Sequence, residues 1–123
     1  MYRKKKPEDL DCGIEVSVKV FAGKWKPCLI ESINQGNHRP SEIHRSILSA
    51  APRVLNMQLK ELENFKVVRK KIYPGLPPRV EYYLTDLGKS ILPIVAMLDQ
   101  WGTKHKEEIK RINETLKLLN SIG

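Results

Sequence analysis

The run Ser41-Glu42-Ile43-His44-Arg45-Ser46-Ile47-Leu48-Ser49-Ala50-Ala51-Pro52-Arg53-Val54-Leu55-Asn56-Met57-Gln58-Leu59-Lys60-Glu61-Leu62-Glu63-Asn64-Phe65 decides the fold. Ser41 is the expected N-cap of a short helix ending near Leu48, since its hydroxyl accepts a backbone N–H from the first turn. Ser49-Ala50-Ala51 makes a tight turn. Pro52 has no N–H to lose at a first helical position, so it opens a second helix running to about Phe65. Helix, short turn, helix is the spacing of a helix-turn-helix unit. At about 100° per residue, Leu55, Leu59 and Leu62 share one face and point to a core. Arg53, Asn56, Met57, Lys60 and Asn64 fall on the opposite face.

Downstream, Val67-Val68-Arg69-Lys70-Lys71-Ile72-Tyr73 is rich in strand formers, and Arg79-Val80-Glu81-Tyr82-Tyr83-Leu84 alternates with Val80, Tyr82 and Leu84 on one side. Pro74-Gly75-Leu76-Pro77-Pro78 between them suits neither helix nor strand interior, which predicts a hairpin with a stiff tip. Thr85 then caps a long final helix, with Asp86 at the favourable end of its dipole. Ile91, Ile94, Leu98, Trp101, His105, Ile109, Ile112, Leu116 and Leu119 recur on it at steps of three and four. This seam is longer than a small domain needs to cover its core, and it points to packing against a second copy. Pro93 is expected to kink the helix and Gly102 to loosen it.

Upstream, Ile14, Val18 and Phe21 share a face of a first short helix. Trp25 to Gln35 reads as a second, closed by Gly36-Asn37. Residues 1–9 read as a flexible basic tail carrying Arg3-Lys4-Lys5-Lys6.

Lys and Arg number 22 against 14 Asp and Glu, a formal charge of +8 in 123 residues. One domain with this excess favours a polyanionic partner. The longest apolar stretch, Ile91 to Leu98, contains Pro93 and is too short to span a bilayer. No apolar segment of signal-peptide length follows the basic start, so a cytoplasmic location is expected and no membrane partner. Cys12 and Cys28 are too few for a disulfide framework.

In order along the chain stand Cys12-Gly13-Ile14-Glu15, Gly23-Lys24-Trp25-Lys26-Pro27, Gln58-Leu59-Lys60-Glu61-Leu62-Glu63, Pro77-Pro78-Arg79-Val80-Glu81-Tyr82, Leu84-Thr85 and Leu87-Gly88. From Cys12 to Trp101 the chain resembles the HxlR-type winged helix-turn-helix transcriptional regulators of bacteria and archaea, within the MarR-like superfamily. The resemblance implies an α+β fold, mostly helical, with a hairpin wing and a long C-terminal dimerisation helix. It implies a homodimer on operator DNA, with the first and last helices at the interface. Ile14, Val18, Ile94, Leu98, Trp101, Ile109, Ile112 and Leu116 are then the interface candidates. Residues 10–102 form the expected DNA-binding domain, and 103–123, beyond the usual pattern, extend the dimerisation helix.

The chain departs from that pattern. Ala51, Pro52 and Met57 replace the family's usual polar residues, which puts the operator sequence in doubt. Lys66 stands where glycine is usual. Pro40 replaces a common aromatic on a short strand, and since proline cannot donate to a ladder that strand should be weak or absent.

On the recognition helix Arg53 suits bidentate contact with guanine, Asn56 with adenine, and Met57 a thymine methyl, while Lys60 meets phosphate. The alternative is an outer face that only confers solubility. The wing's Arg69, Lys70, Lys71 and Arg79 weigh against it: from Arg39 to Thr85 nine Lys and Arg face four acids. Arg79 either reaches the minor groove or phosphate, or pairs with Glu81 and stiffens the wing. His38, Arg39 and Ser41 precede the third helix, whose N-terminus is placed to take a phosphate, whereas His44 reads as a surface residue. Lys24 and Lys26 are candidates for proximity to the DNA backbone, with Trp25 in the core.

Several relatives use the cysteine at the place of Cys12 to sense oxidants or electrophiles, so Cys12 is either a sensor or an idle thiol; Gly13 stands there for a usual proline. Cys28 reads as a small buried hydrophobe. His38, His44 and His105 lie far apart, and no nucleophile or phosphate-loop motif occurs, so neither enzyme, metal nor cofactor is expected. The rival readings are a protein-interaction module on the same fold, and a regulator with a small-molecule pocket lined by Phe21, Trp25 and Trp101.

Overall fold

The protein is described over residues 10–122 by a computed structural model; the basic N-terminal tail expected at 1–9 lies outside the described residues. The elements run α1 (Gly13–Phe21), α2 (Lys26–Asn34), α3 (Pro40–Ser46), α4 (Pro52–Asn64), β1 (Val68–Tyr73), β2 (Arg79–Leu84) and α5 (Asp86–Ile122). This is the expected winged helix-turn-helix, mostly helical, with an antiparallel hairpin and a long terminal helix. The described residues fall into two compact units that divide between Ser90 and Ile91.

In the first unit the apolar faces meet as their periodicity requires. Leu29, Ile30 and Ile33 of α2, Ile43 of α3, Leu55, Leu59 and Leu62 of α4, and Val67 and Val68 at the hairpin start are almost wholly buried. Cys28 lies on the other side of α2 and is exposed, which corrects the expectation of a buried thiol. About 140° around the helix axis separates it from the centre of the Leu29–Ile30–Ile33 face. Lys26, in contrast, is buried at 5% exposure, so it does not lie open to a DNA backbone. Its Nζ meets Glu61 Oε1 of α4 at 2.9 Å, and Trp25 N–H donates to Gln58 Oε1 at 3.0 Å. Gly23 makes room for this lysine: a Cβ there would touch the Lys26 stem at 3.1–3.2 Å.

Two helix ends use one hydrogen-bond pattern. At the end of α2, Gly36 N–H donates to Ile33 O and Asn37 N–H to Ser32 O. At the end of α4, Lys66 N–H donates to Glu63 O and Val67 N–H to Leu62 O. Both are Schellman motifs, which require a left-handed residue after the cap. Gly36 supplies it at φ 101°, whereas Lys66 supplies it at φ 64°, against the steric preference of a side chain with a Cβ.

Ser41 is not the N-cap of α3. Arg39 holds that position with extended backbone, because Pro40, fixed in φ and lacking an N–H, occupies the first helical turn ahead of it. Glu42 satisfies the open amides instead, accepting from His38 N–H at 3.1 Å and Arg39 N–H at 3.0 Å. Among the described residues the sheet has two strands, and the short strand that Pro40 was expected to weaken or abolish does not form. What remains of the pairing is Tyr82 N–H donating to His38 O at 2.8 Å, with His38 Nδ1 on Tyr82 O at 2.8 Å in the place of a backbone donor.

Thr85 caps α5: its hydroxyl donates to Lys66 O at 2.5 Å and accepts from Gly88 N–H at 3.1 Å. Gly88 is required there, because a Cβ would lie 2.2 Å from Val67 O. In the second unit α5 continues as one helix through Pro93, with the Trp101 and His105 rings 4.6 Å apart one turn on.

Candidate nucleic-acid interface

α4 presents two opposite chemistries along one axis. Leu55, Leu59 and Leu62 are fully buried, while Arg53, Asn56, Met57 and Lys60 are exposed. Lys60 Nζ lies 3.6 Å from Glu63 Oε1, an i,i+3 pair in which the lysine stays exposed while that carboxylate oxygen is buried. Asn56 is not free: His44 Nε2 of α3 lies 2.8 Å from its Oδ1. His44, read from the sequence as a surface residue, therefore links the two helices of the unit at that surface. Ser41 is exposed at the start of α3.

The hairpin register sorts the wing residues. Arg69 faces Tyr83, Lys71 faces Glu81 and Tyr73 faces Arg79, so these six side chains share one face. Lys70, opposite Tyr82, belongs to the other face with Ile72 and Val80. The structure thus groups Arg69, Lys71 and Arg79 and separates Lys70 from them. Arg39, from the start of α3, joins the group, because its Nε and that of Arg79 approach Glu81 Oε2 at 3.8 and 3.4 Å. Arg79 also lies 4.2 Å over the Tyr73 ring, Lys71 4.9 Å over the same ring, and Arg69 5.3 Å over Tyr83. Of the two readings of Arg79, the stiffening pair with Glu81 is present, and the guanidinium remains half-exposed.

Glu81 is the electrostatic centre of this face. The Tyr83 hydroxyl donates to it, and with Arg79 and Arg39 nearby its carboxyl is held below the usual value. The same hydrogen bond pushes the Tyr83 phenol up to about 12. His38 stacks on Tyr83 at 4.3 Å, tying the start of α3 to the wing. Glu42 is likewise lowered, chiefly by the backbone N–H groups of Arg39 and His38. One largely shielded carboxylate thus gathers two arginines without neutralising the face, which also carries Arg69 and Lys71.

The interface candidates are exposed apolar residues. Ile14 and Val18 on α1, and Ile94, Leu98, Trp101, Ile109, Ile112 and Leu116 on α5, are between 42% and 76% accessible. Cys12 is half-exposed at the N-cap of α1, its carbonyl accepting from Val16 N–H at 3.0 Å. Phe21 and Trp25 belong to the first unit and Trp101 to the second. Among the described residues no cluster of His, Cys, Asp or Glu is placed to hold a metal ion, and no helix is long and apolar enough to cross a membrane.

A family model described as HxlR-like helix-turn-helix matches residues 20–110. An HTH-type transcriptional regulator of Methanothermobacter thermautotrophicus is 43% identical over 91 residues, covering 74% of this chain and 70% of the relative. The HTH-type regulator YdeP of Bacillus subtilis is 32% identical over 111 residues, covering 90% and 87%. Among solved structures, the redox regulator HypR in its reduced form superposes with a TM-score of 0.74 at 34% identity, covering 81% of this chain and 99% of that one.

Proposed function

This chain belongs to the HxlR-like helix-turn-helix family of DNA-binding transcriptional regulators, which are not enzymes, and we propose that it works as a homodimer on a pseudo-palindromic operator. Residues 10–102 act as the DNA-binding domain and 103–122 prolong the dimerisation helix. The observation that carries this reading is α4, with its leucine face fully buried and Arg53, Asn56, Met57 and Lys60 offered outward. Two such helices about 34 Å apart meet successive major grooves on one side of a duplex. Arg53 and Asn56 read base edges, Met57 contacts a thymine methyl, and Lys60 with Arg39, Ser41, Arg69, Lys70, Lys71 and Arg79 holds phosphates or the minor groove. A dimer making six to ten phosphate contacts loses on the order of 10³–10⁵ in affinity between 50 and 200 mM salt.

Gel shifts against the chain's own promoter region test the assignment. Arg53→Ala reduces discrimination between operator and scrambled duplex, and Lys71→Ala weakens both alike. Both variants binding as wild type would overturn it.

The likeness to HypR, a redox regulator, supports a second element of the proposal: Cys12 senses oxidants. Peroxide oxidises its thiolate to a sulfenic acid with release of water, and a thiol of a second subunit condenses with it, expelling another water. Non-reducing mass analysis after mild peroxide then shows a covalent dimer that Cys12→Ser lacks. Unmodified protein that releases DNA with a metabolite would favour a small-molecule effector instead.

A further inference from the structure

The His44–Asn56 contact joins the two helices of the reading unit through side chains alone. Asn56 Oδ1 carries no proton, so the 2.8 Å contact is a hydrogen bond only with a proton on His44 Nε2, which donates. The amide of an isolated surface asparagine turns about a broad terminal torsion, and its two-fold flip exchanges an acceptor for a donor. Such a side chain offers both patterns to a base. Here the oxygen is held from α3, and Nδ2 has no partner among the described residues. Among the described residues, Arg53 and Met57, its neighbours on the outer face, show no such anchor, and Lys60 meets its own-helix glutamate.

We infer that His44, carrying its proton on Nε2, is a positioning residue for base recognition: as a donor it holds the Asn56 amide in one orientation, with Nδ2 free and one Oδ1 lone pair occupied. The free donor meets purine N7, and the remaining Oδ1 lone pair accepts from adenine N6, which is the bidentate order adenine requires. Without His44 the flipped amide, which faces adenine with the wrong order, becomes equally accessible. This inference rests on the proposed reading of Asn56 as a base contact and adds the residue that sets its direction.

The test is selection from a random duplex pool with the full chain as wild type, Asn56→Ala, His44→Ala and His44→Gln. Asn56→Ala identifies the base position it reads, by flattening preference at one position in each half-site. His44→Ala is expected to lower discrimination at that same position about five-fold or more, leaving the remaining positions as they were. His44→Gln, which keeps an N–H donor, is expected to restore more than half of the loss. Unchanged preference in His44→Ala at the position that Asn56→Ala flattens would overturn the inference while sparing the Asn56 reading. So would an equal loss at every position with a lowered Tm, the sign of a folding role. A wild-type motif from Asn56→Ala would overturn both.

Discussion

Lys66 isolates a single-residue conflict. Its backbone must be left-handed to close α4, and φ 64° is where a Cβ is disfavoured. Gly36 does the same task at the end of α2 without that conflict. Lys66→Gly removes the steric cost but adds freedom to the unfolded chain, so the net gain is expected to be about 0.5–1 kcal/mol. A urea midpoint that rises at constant slope checks it; a midpoint that falls would show that the lysine side chain contributes something the backbone does not reveal. This residue was legible beforehand through the glycine usual at its place. Lys26 was not, because a lysine beside a tryptophan reads as surface, and only the approach of Glu61 from α4 explains its burial. Cys28 failed for a related reason: its neighbour Leu29 suggested the core, yet one residue is about 100° of helix.

At the scale of elements, α4 and the wing were readable because each repeats a simple rule. Leucines at steps of four and three define one face of α4, and the proline-rich tip bounds two alternating strands. The start of α3 shows where local rules compete: a serine is a good cap, but Pro40 claims the first turn and moves the cap to Arg39. The pairing of His44 with Asn56, and of Arg39 with Glu81, depends on how separate elements rotate against one another, which no single periodicity encodes. The wing also carries an acid dependence. Glu81 titrates below its usual value of 4.5 in the folded protein, held there first by the Tyr83 hydroxyl. A depressed carboxylate contributes stability that is complete above the unfolded value and disappears as pH falls through the folded one. Between pH 6 and 3 the wild-type Tm is therefore expected to fall more steeply than that of Glu81→Gln, with Glu42 supplying part of the slope that both retain. Parallel profiles would contradict the role given to Glu81.

For the whole molecule, the exposed apolar residues of α1 and α5 are the reason to expect a dimer. Leu98, Ile112 and Leu116 each keep about half of their surface in solvent, a costly arrangement for a lone helix in water. Leu98→Glu together with Ile112→Glu is expected to shift sedimentation from dimer to monomer and to reduce operator affinity at least ten-fold, by removing the second reading helix. A dimer that survives both charges would place its interface elsewhere. The seam itself was plain in the sequence as apolar residues at steps of three and four, whereas what packs on it is not encoded in a single chain. Sequencing duplexes selected by the wild-type chain from a random pool tests the paired reading helices most directly. One enriched motif of two inverted half-sites, their centres one helical turn apart, is expected; a solitary half-site, or no enrichment over the input pool, would rule the paired helices out.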